Sequence, residues 1–335
     1  MPRLTLAVLA ALALGSCRPP RPKAPRPAVV DAGPRVQKVH EDLQVTPLEA
    51  VFSGVRGEHE SEENVAIKNT GGAPVQVSAL EVVGAEAASF KLTSKPDLPI
   101  TLVPNAQVSV SVAFAPAREA SPGVHRGMLK ILLGPQREEG PPVDLSGLVL
   151  TGKRGVEEPP LRQVLEALGF AVDVGGTELR LGTAAALLGE EAPVPRFQRA
   201  HGGTVALYPV ARFSSSERLP YGYYTGEGAP EPHPLGAVAA DEDQKLNPEI
   251  EPDAITTFDP GPGPFGLFVN FGKRYGYTED RMNTGAVRHL ARIYPLKSRT
   301  GLRIPDAYAI ALEYTGDGDY QDLVFVLWNV KPAGG

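Results

Sequence analysis

The densest chemistry in the chain is a short run, Asp317-Gly318-Asp319-Tyr320-Gln321-Asp322. Alternating carboxylates across a tight turn can bring several oxygens to one point, as a hard cation such as Ca²⁺ requires. The run is not an EF-hand. Gln321 and Asp322 stand fifth and sixth, where that loop needs Asp or Asn and then Gly, and Trp328 stands where its closing Glu belongs. Any cation would need further oxygens, for which Glu313, Glu279, Asp280 and Asn283 are the best donors. Carboxylates this close repel one another unless a cation or a lysine intervenes. The expected ligand set is therefore Asp317, Asp319, Asp322, Glu313 and Asp280. The competing reading is a hairpin turn in which Asp and Gly supply turn geometry and solubility.

The second chemical feature is the lone cysteine, Cys17. It ends an apolar run, Leu4–Leu14, that follows a single positive charge at Arg3. That run has the length of a signal-peptide core and falls short of the roughly 20 residues of a spanning helix. Leu14-Gly15-Ser16-Cys17 resembles the lipobox of bacterial lipoproteins. The resemblance implies removal of residues 1–16, lipidation of Cys17 as the new amino terminus, and the membrane as a partner. Several acyl chains on one residue hold a protein more firmly than one chain does. Arg18 after the cysteine, by the same resemblance, favours the outer membrane, with the protein periplasmic or surface-exposed. The alternative is an ordinary secretory signal with an incidental cysteine. With no second cysteine, no disulfide within the chain can hold a domain together.

Other chemistries find little support. The six histidines show no HExxH or HxH spacing, which argues against a zinc hydrolase. His201-Gly202-Gly203 has no GxSxG partner, and Gly261–Gly266 lacks the Lys-Ser/Thr of a phosphate loop. The modest acidic charge, −6, argues against a nucleic-acid partner. Carboxylate pairs for glycoside hydrolysis stay open, because their separation belongs to the fold.

The elements that must position these residues are mostly strands. Thirty-six glycines and thirty-four prolines point to many turns and few long helices. Residues 17–42 include RPPRPKAPRP, a basic, extended tether. From 43 to 152 the apolar period is two: Val108, Val110, Val112 and Phe114 share a face, and Val65/Ile67 and Val75/Val77 flank the turn Asn69-Thr70-Gly71-Gly72. The order KNTGGAPVQV, SFKL, VSVAFAPA, GVHRGMLKILL, VDLSGLVLTG resembles the immunoglobulin-like ASPM/SPD-2/Hydin domain. That resemblance implies a sandwich serving as a spacer or protein-binding module.

From 159 to 332 a second domain is expected. Leu161, Val164, Leu165 and Leu168 make one helical face stopped by Gly169. A hairpin is expected from Val172 and Val174 through Gly175-Gly176 to Leu179 and Leu181. Residues 214–266, rich in proline, glycine and acid, read as one long loop. Pro220-Tyr221-Gly222-Tyr223-Tyr224 is echoed by Pro264-Phe265-Gly266-Leu267-Phe268, and Tyr221, Tyr223 and Tyr224 are the candidate sugar-stacking platform. Leu323–Val330 is apolar on both faces, as a central strand would be. ARIYPLK and EYTGDGDYQDLVFVLWNV resemble exported bacterial jelly-roll modules ending in a D-x-D-[FY]-x-D-[LF]-V-F loop and strand. The chain is thus expected to be all-β: an immunoglobulin-like sandwich, then a jelly-roll-like sandwich with one short helix. The expected function is a cell-envelope lipoprotein acting as a non-catalytic binding or structural module. Its distal domain would be stabilised by Ca²⁺ and bind a cell-surface glycan or an envelope protein. The alternative is a carbohydrate-active hydrolase using carboxylates of the C-terminal domain.

Overall fold

The structure is a computed structural model that describes residues 42–58, 61–181, 186–226, 228–272, 274–314 and 316–334. The apolar leader, Cys17 and the basic tether lie outside the described residues. Among those residues no helix is long and apolar enough to cross a membrane. The fold is all-β: 46% of residues lie in strands, and the described residues include one short α-helix, Leu161–Ala167.

The first sandwich is built from β1 (Leu43–Thr46), β2 (Glu49–Val55), β3 (Ser61–Asn69), β4 (Val75–Val83), β5 (Phe90–Ser94), β6 (Ile100–Leu102), β7 (Gln107–Phe114), β8 (Gly123–Leu133), β9 (Glu138–Glu139) and β10 (Val143–Leu150). One sheet runs β1-β3-β7-β5 and the other β2-β10-β8-β4-β6, with β9 beside β8. Along β7, Val110, Val112 and Phe114 enter the core between the sheets with Val108 packed against it, while Ser111 and Ala113 of the other face are buried as well. Phe114 packs against Phe52 and Phe90 at ring separations of 6.1 and 5.2 Å. Gly147 of β10 lies under the Phe114 ring, where any Cβ would overlap it. The turn signal is held by Asn69, whose amide donates to the carbonyls of Ala73 and Leu102 (both 2.8 Å) and whose oxygen accepts from Gly71 N–H.

The second sandwich uses β11 (Phe197–Arg199), β12 (Val205–Arg212), β13 (Leu219–Thr225), β14 (Glu231–Val238), β15 (Lys245–Leu246), β16 (Thr257–Phe258), β17 (Gly266–Asn270), β18 (Tyr275–Tyr277), β19 (Ala291–Lys297), β20 (Arg303–Leu312), β21 (Leu323–Trp328) and β22 (Val330–Pro332). Its larger sheet runs β15-β12-β21-β20-β19, with β16 on β12; its smaller sheet runs β14-β13-β17-β18. The double apolar face of β21 has a direct cause. Leu323, Phe325 and Leu327 enter the core between the two sheets. Val324 and Val326 face outward into a separate core. That outer core also takes Ala307, Ala309 and Ala311 of β20, the helix residues Leu161, Val164 and Leu165, and Val55, Leu148 and Leu150 of the first sandwich. The larger sheet is therefore the middle layer of the molecule. The alanines on its outer face leave room for the helix and the neighbouring sandwich to approach. Burial of each Leu or Val here contributes about 1.5–3 kcal/mol, so this core joins the two sandwiches firmly.

Two expected elements take another form. Residues 172–181 make no hairpin: the segment runs as an irregular strap, with Val172, Val174 and Leu181 buried in the outer core. Asp173 accepts from Gly175 N–H at 2.9 Å in a local turn, and Leu181 N–H donates to Gly318 O, so neither arm pairs with the other. The stretch 214–266 is no single loop, since it supplies β13, β14, β15 and β16. Pro220 sits within β13 and Pro232 and Pro234 within β14, a strand pair interrupted by a register shift between Tyr221 and Gly222. The echoed aromatic–glycine segments turn out to be paired neighbours. β13 and β17 match Tyr224 with Gly266 and Gly222 with Phe268, so each glycine lies under the partner's ring.

Candidate functional site

The acidic run folds as a loop between β20 and β21, wound around Glu313. One carboxylate oxygen of Glu313 accepts from Gly316 N–H at 2.6 Å. The other accepts from the N–H groups of Gly318, Asp319 and Tyr320 at 2.9, 3.0 and 3.3 Å. Gly316, Gly318 and Tyr320 all have positive φ, which turns these N–H groups inward. The carboxylate in turn satisfies four backbone donors, three of them buried, so the loop's shape is set by one fully buried acid. Asp322 caps the preceding turn by accepting from Tyr314 N–H.

Glu313, Asp317 and Asp319 each offer a carboxylate oxygen, and the three atoms lie within 4.8 Å of one another. Asp319 is 2% exposed and Gln321 is fully buried. The Gln321 amide donates to Asp319 Oδ2 at 2.9 Å, leaving Asp319 Oδ1 and Gln321 Oε1 without hydrogen-bond partners. Two residues distant in sequence complete the cluster. Glu158, from the linker before the helix, accepts from Gln321 Nε2 through one oxygen and from Gln244 Nε2 through the other. Gln244 Oε1 is also buried without a partner.

The electrostatics follow from the crowding. Burial first, then the Asp317, Glu313 and Glu158 carboxylates, push Asp319 from 3.8 up to about 8. Burial first, then Asp317 and Glu313, raise Glu158 to about 7 against the hydrogen bonds from Gln244 and Gln321. The charges acting most strongly on both groups are other carboxylates. The cluster can thus stabilise positive charge: it offers buried oxygens, several of them anionic, in excess of the donors that face them.

Asp280 and the other expected donors lie in a different cluster. Asp280 bonds His289 Nδ1 at 3.1 Å, and His289 Nε2 bonds Glu191 at 2.9 Å. Glu191 also pairs with the buried guanidinium of Arg292, which lies 4.5 Å over the Tyr320 ring. Glu279 pairs with Arg196 and Arg281 at 3.3 and 2.6 Å. Asn283 is occupied with the backbone of Tyr277 and Arg288. The hydrogen bond to Glu191 first, and the Asp280 charge after it, raise His289 above 6.5 against the opposing effect of burial. A cleft of about 450 Å³ opens here, lined by Glu191, Glu279, Asp280 and His289 together with Pro193, Val194 and Ile293. Asp280 therefore leaves the expected metal set, because its partner is an imidazole. Asp322 also stands apart from the set, since the converging oxygens are those of Glu313, Asp317 and Asp319.

The tyrosine platform is also corrected. Tyr221 and Tyr224 are fully buried. Tyr223 is covered on both faces by His233 and Phe258, at ring separations of 4.6 and 4.5 Å. The register that puts each glycine under an aromatic ring consumes these side chains as core. Sequence reasoning missed Glu158 and Gln244 as members of the acidic cluster. Gln244 belongs to QKLNP, a segment of evident character whose docking site no local spacing reveals.

No family model matches the chain, and no curated protein matches it. Among solved structures it is similar to the Vibrio cholerae VesB protease, at 10% identity over 32% of this chain and a TM-score of 0.25. The chain spans 32% of the length of that protease. It is also similar to a PapD-like domain of human CEP192, at 16% identity over 45% of this chain and 99% of that one, with a TM-score of 0.24. The periplasmic chaperone SfaE matches at 10% identity over 78% of this chain and 95% of that one, with a TM-score of 0.28.

Proposed function

We propose that this protein is a cell-envelope lipoprotein, anchored through Cys17, whose two sandwiches act as one rigid, non-catalytic binding or structural module. The observation that carries the reading is the outer core shared by helix, middle sheet and first sandwich. An interface that is large and apolar suppresses the relative motion usual between domains. A stiff body on a proline-rich tether suits presenting a surface at a distance from a membrane. The partner is a cell-surface glycan or an envelope protein, and Ca²⁺ bound by Glu313, Asp317 and Asp319 stabilises the distal sandwich. Growth with labelled palmitate tests the anchor. The wild-type chain should carry label and sediment with membranes, and Cys17→Ala should lose both. An unlabelled wild-type chain, or a membrane-bound variant, contradicts the reading.

A second reading is favoured by the cleft that gathers Glu191, Glu279 and Asp280. On it, the distal sandwich is a carbohydrate-active hydrolase, with an acid–base carboxylate pair drawn from those residues. A glycan array on the whole chain, followed by a reducing-end assay on every hit, separates the two: binding without turnover supports the first and release of reducing ends the second.

A further inference from the structure

The acidic loop alone is a poor cation site, because its central acid already serves four backbone N–H groups. Ca²⁺ takes six to eight oxygens. The missing oxygens have to come from outside the loop, and three unpartnered acceptors show where. Asp319 Oδ1, Gln321 Oε1 and Gln244 Oε1 are all buried and all without a hydrogen bond. They belong to one connected group: Gln321 links Asp319 to Glu158, and Glu158 links Gln321 to Gln244. The amide orientations are fixed by charge, because turning either glutamine over would aim its oxygen at a carboxylate oxygen. Each amide thus spends its donor on an acid and leaves a buried oxygen with no donor to accept from.

The positions of the two outside residues give the site a second consequence. Glu158 lies in the linker between the sandwiches. Gln244 and Asn247, both at positive φ, shape the segment that places Leu246 in the outer core. Leu246 N–H donates to Ser53 Oγ of the first sandwich at 3.0 Å. We propose that a divalent cation, Ca²⁺ by its preference for many oxygens, is bound jointly by the acidic loop and by Glu158 and Gln244, tying the linker and the docking segment to the distal sandwich. This deepens the calcium reading above and rests on it: the cation becomes a fastener of the seam between the sandwiches as well as a counter-charge for one loop.

Isothermal titration of Ca²⁺ into the chelator-stripped full chain is the test, with far-UV circular dichroism to confirm that each variant is folded. The wild-type chain should bind one ion. Glu158→Gln and Gln244→Met, which keep size and remove charge or oxygen, should each weaken binding at least about tenfold. Asp317→Asn, at a half-exposed loop position, should weaken it similarly. Weakened binding in Asp317→Asn with unchanged binding in Glu158→Gln and Gln244→Met overturns the seam site and leaves the loop site standing. No binding by the wild-type chain, or wild-type affinity in all three variants, overturns both.

Discussion

The distal sandwich holds two carboxylate clusters that differ in how their charge is answered. Around His289, each acid faces a cation: Glu191 meets Arg292 and His289, Asp280 meets His289, and Glu279 meets Arg196 and Arg281. Around Asp319, the acids face backbone N–H groups and two amides, and the strongest charges acting on them are one another. The sequence distinguishes the two poorly, since both read as acids near turns. Their chemistry diverges because β19 carries Arg292 into one cluster, while among the described residues no comparable basic residue opposes Asp319 or Glu158. A cluster balanced by arginine and histidine carries its own counter-charge. A cluster balanced only by dipoles is one that a cation can improve.

Breaking the balanced cluster should have the largest effect. Arg292→Leu strands a buried Glu191 and should cost roughly 3–5 kcal/mol, read as a lowered midpoint in urea. The sharper comparison applies one change, carboxylate to amide, to both clusters. Glu191→Gln should destabilise by about 2–3 kcal/mol, because it removes the charge that Arg292 and His289 are paired with. Asp319→Asn in chelator, at about pH 8.5, should instead stabilise by about 1 kcal/mol, because it removes a buried charge that its neighbours oppose. Loss of stability in both variants would show that the clusters are alike.

The smallest effect is a pH dependence in the balanced cluster. The folded state raises His289 above its usual 6.5. Between the two values the native chain holds a proton that the unfolded chain has lost. His289 thus contributes stability that is full below pH 6.5 and disappears as pH rises through the folded value. The slope is at most about 1.4 kcal/mol per pH unit for one group. His289→Gln should flatten that part of the stability profile, and an identical profile in wild type and variant would show that the imidazole is not held charged.

Much of the fold was legible because strand periodicity is local. The alternation in β7, the Asn69 turn and the two apolar faces of β21 can each be read from a few neighbouring residues. The loop wound around Glu313 was legible only as composition: the sequence shows acids and glycines, and the inward N–H groups depend on three positive φ values. The strap at 172–181 misled because Gly175-Gly176 is a hairpin signal, while the real partners of that segment lie in the outer core. The tyrosines misled in a related way. A Tyr-rich edge looks like a platform until β17 pairs with β13 and fills its glycine gaps with rings. Glu158 and Gln244 were out of reach, because they meet Gln321 only after two sandwiches have closed against one helix.

Uptake of a cation by the Asp319 cluster is tested most directly by a pair of thermal melts on the full chain. Ca²⁺ at about a hundredfold its dissociation constant should add about 2.7 kcal/mol of stability and raise the midpoint above that in chelator. Superimposable melts with and without Ca²⁺ would contradict it.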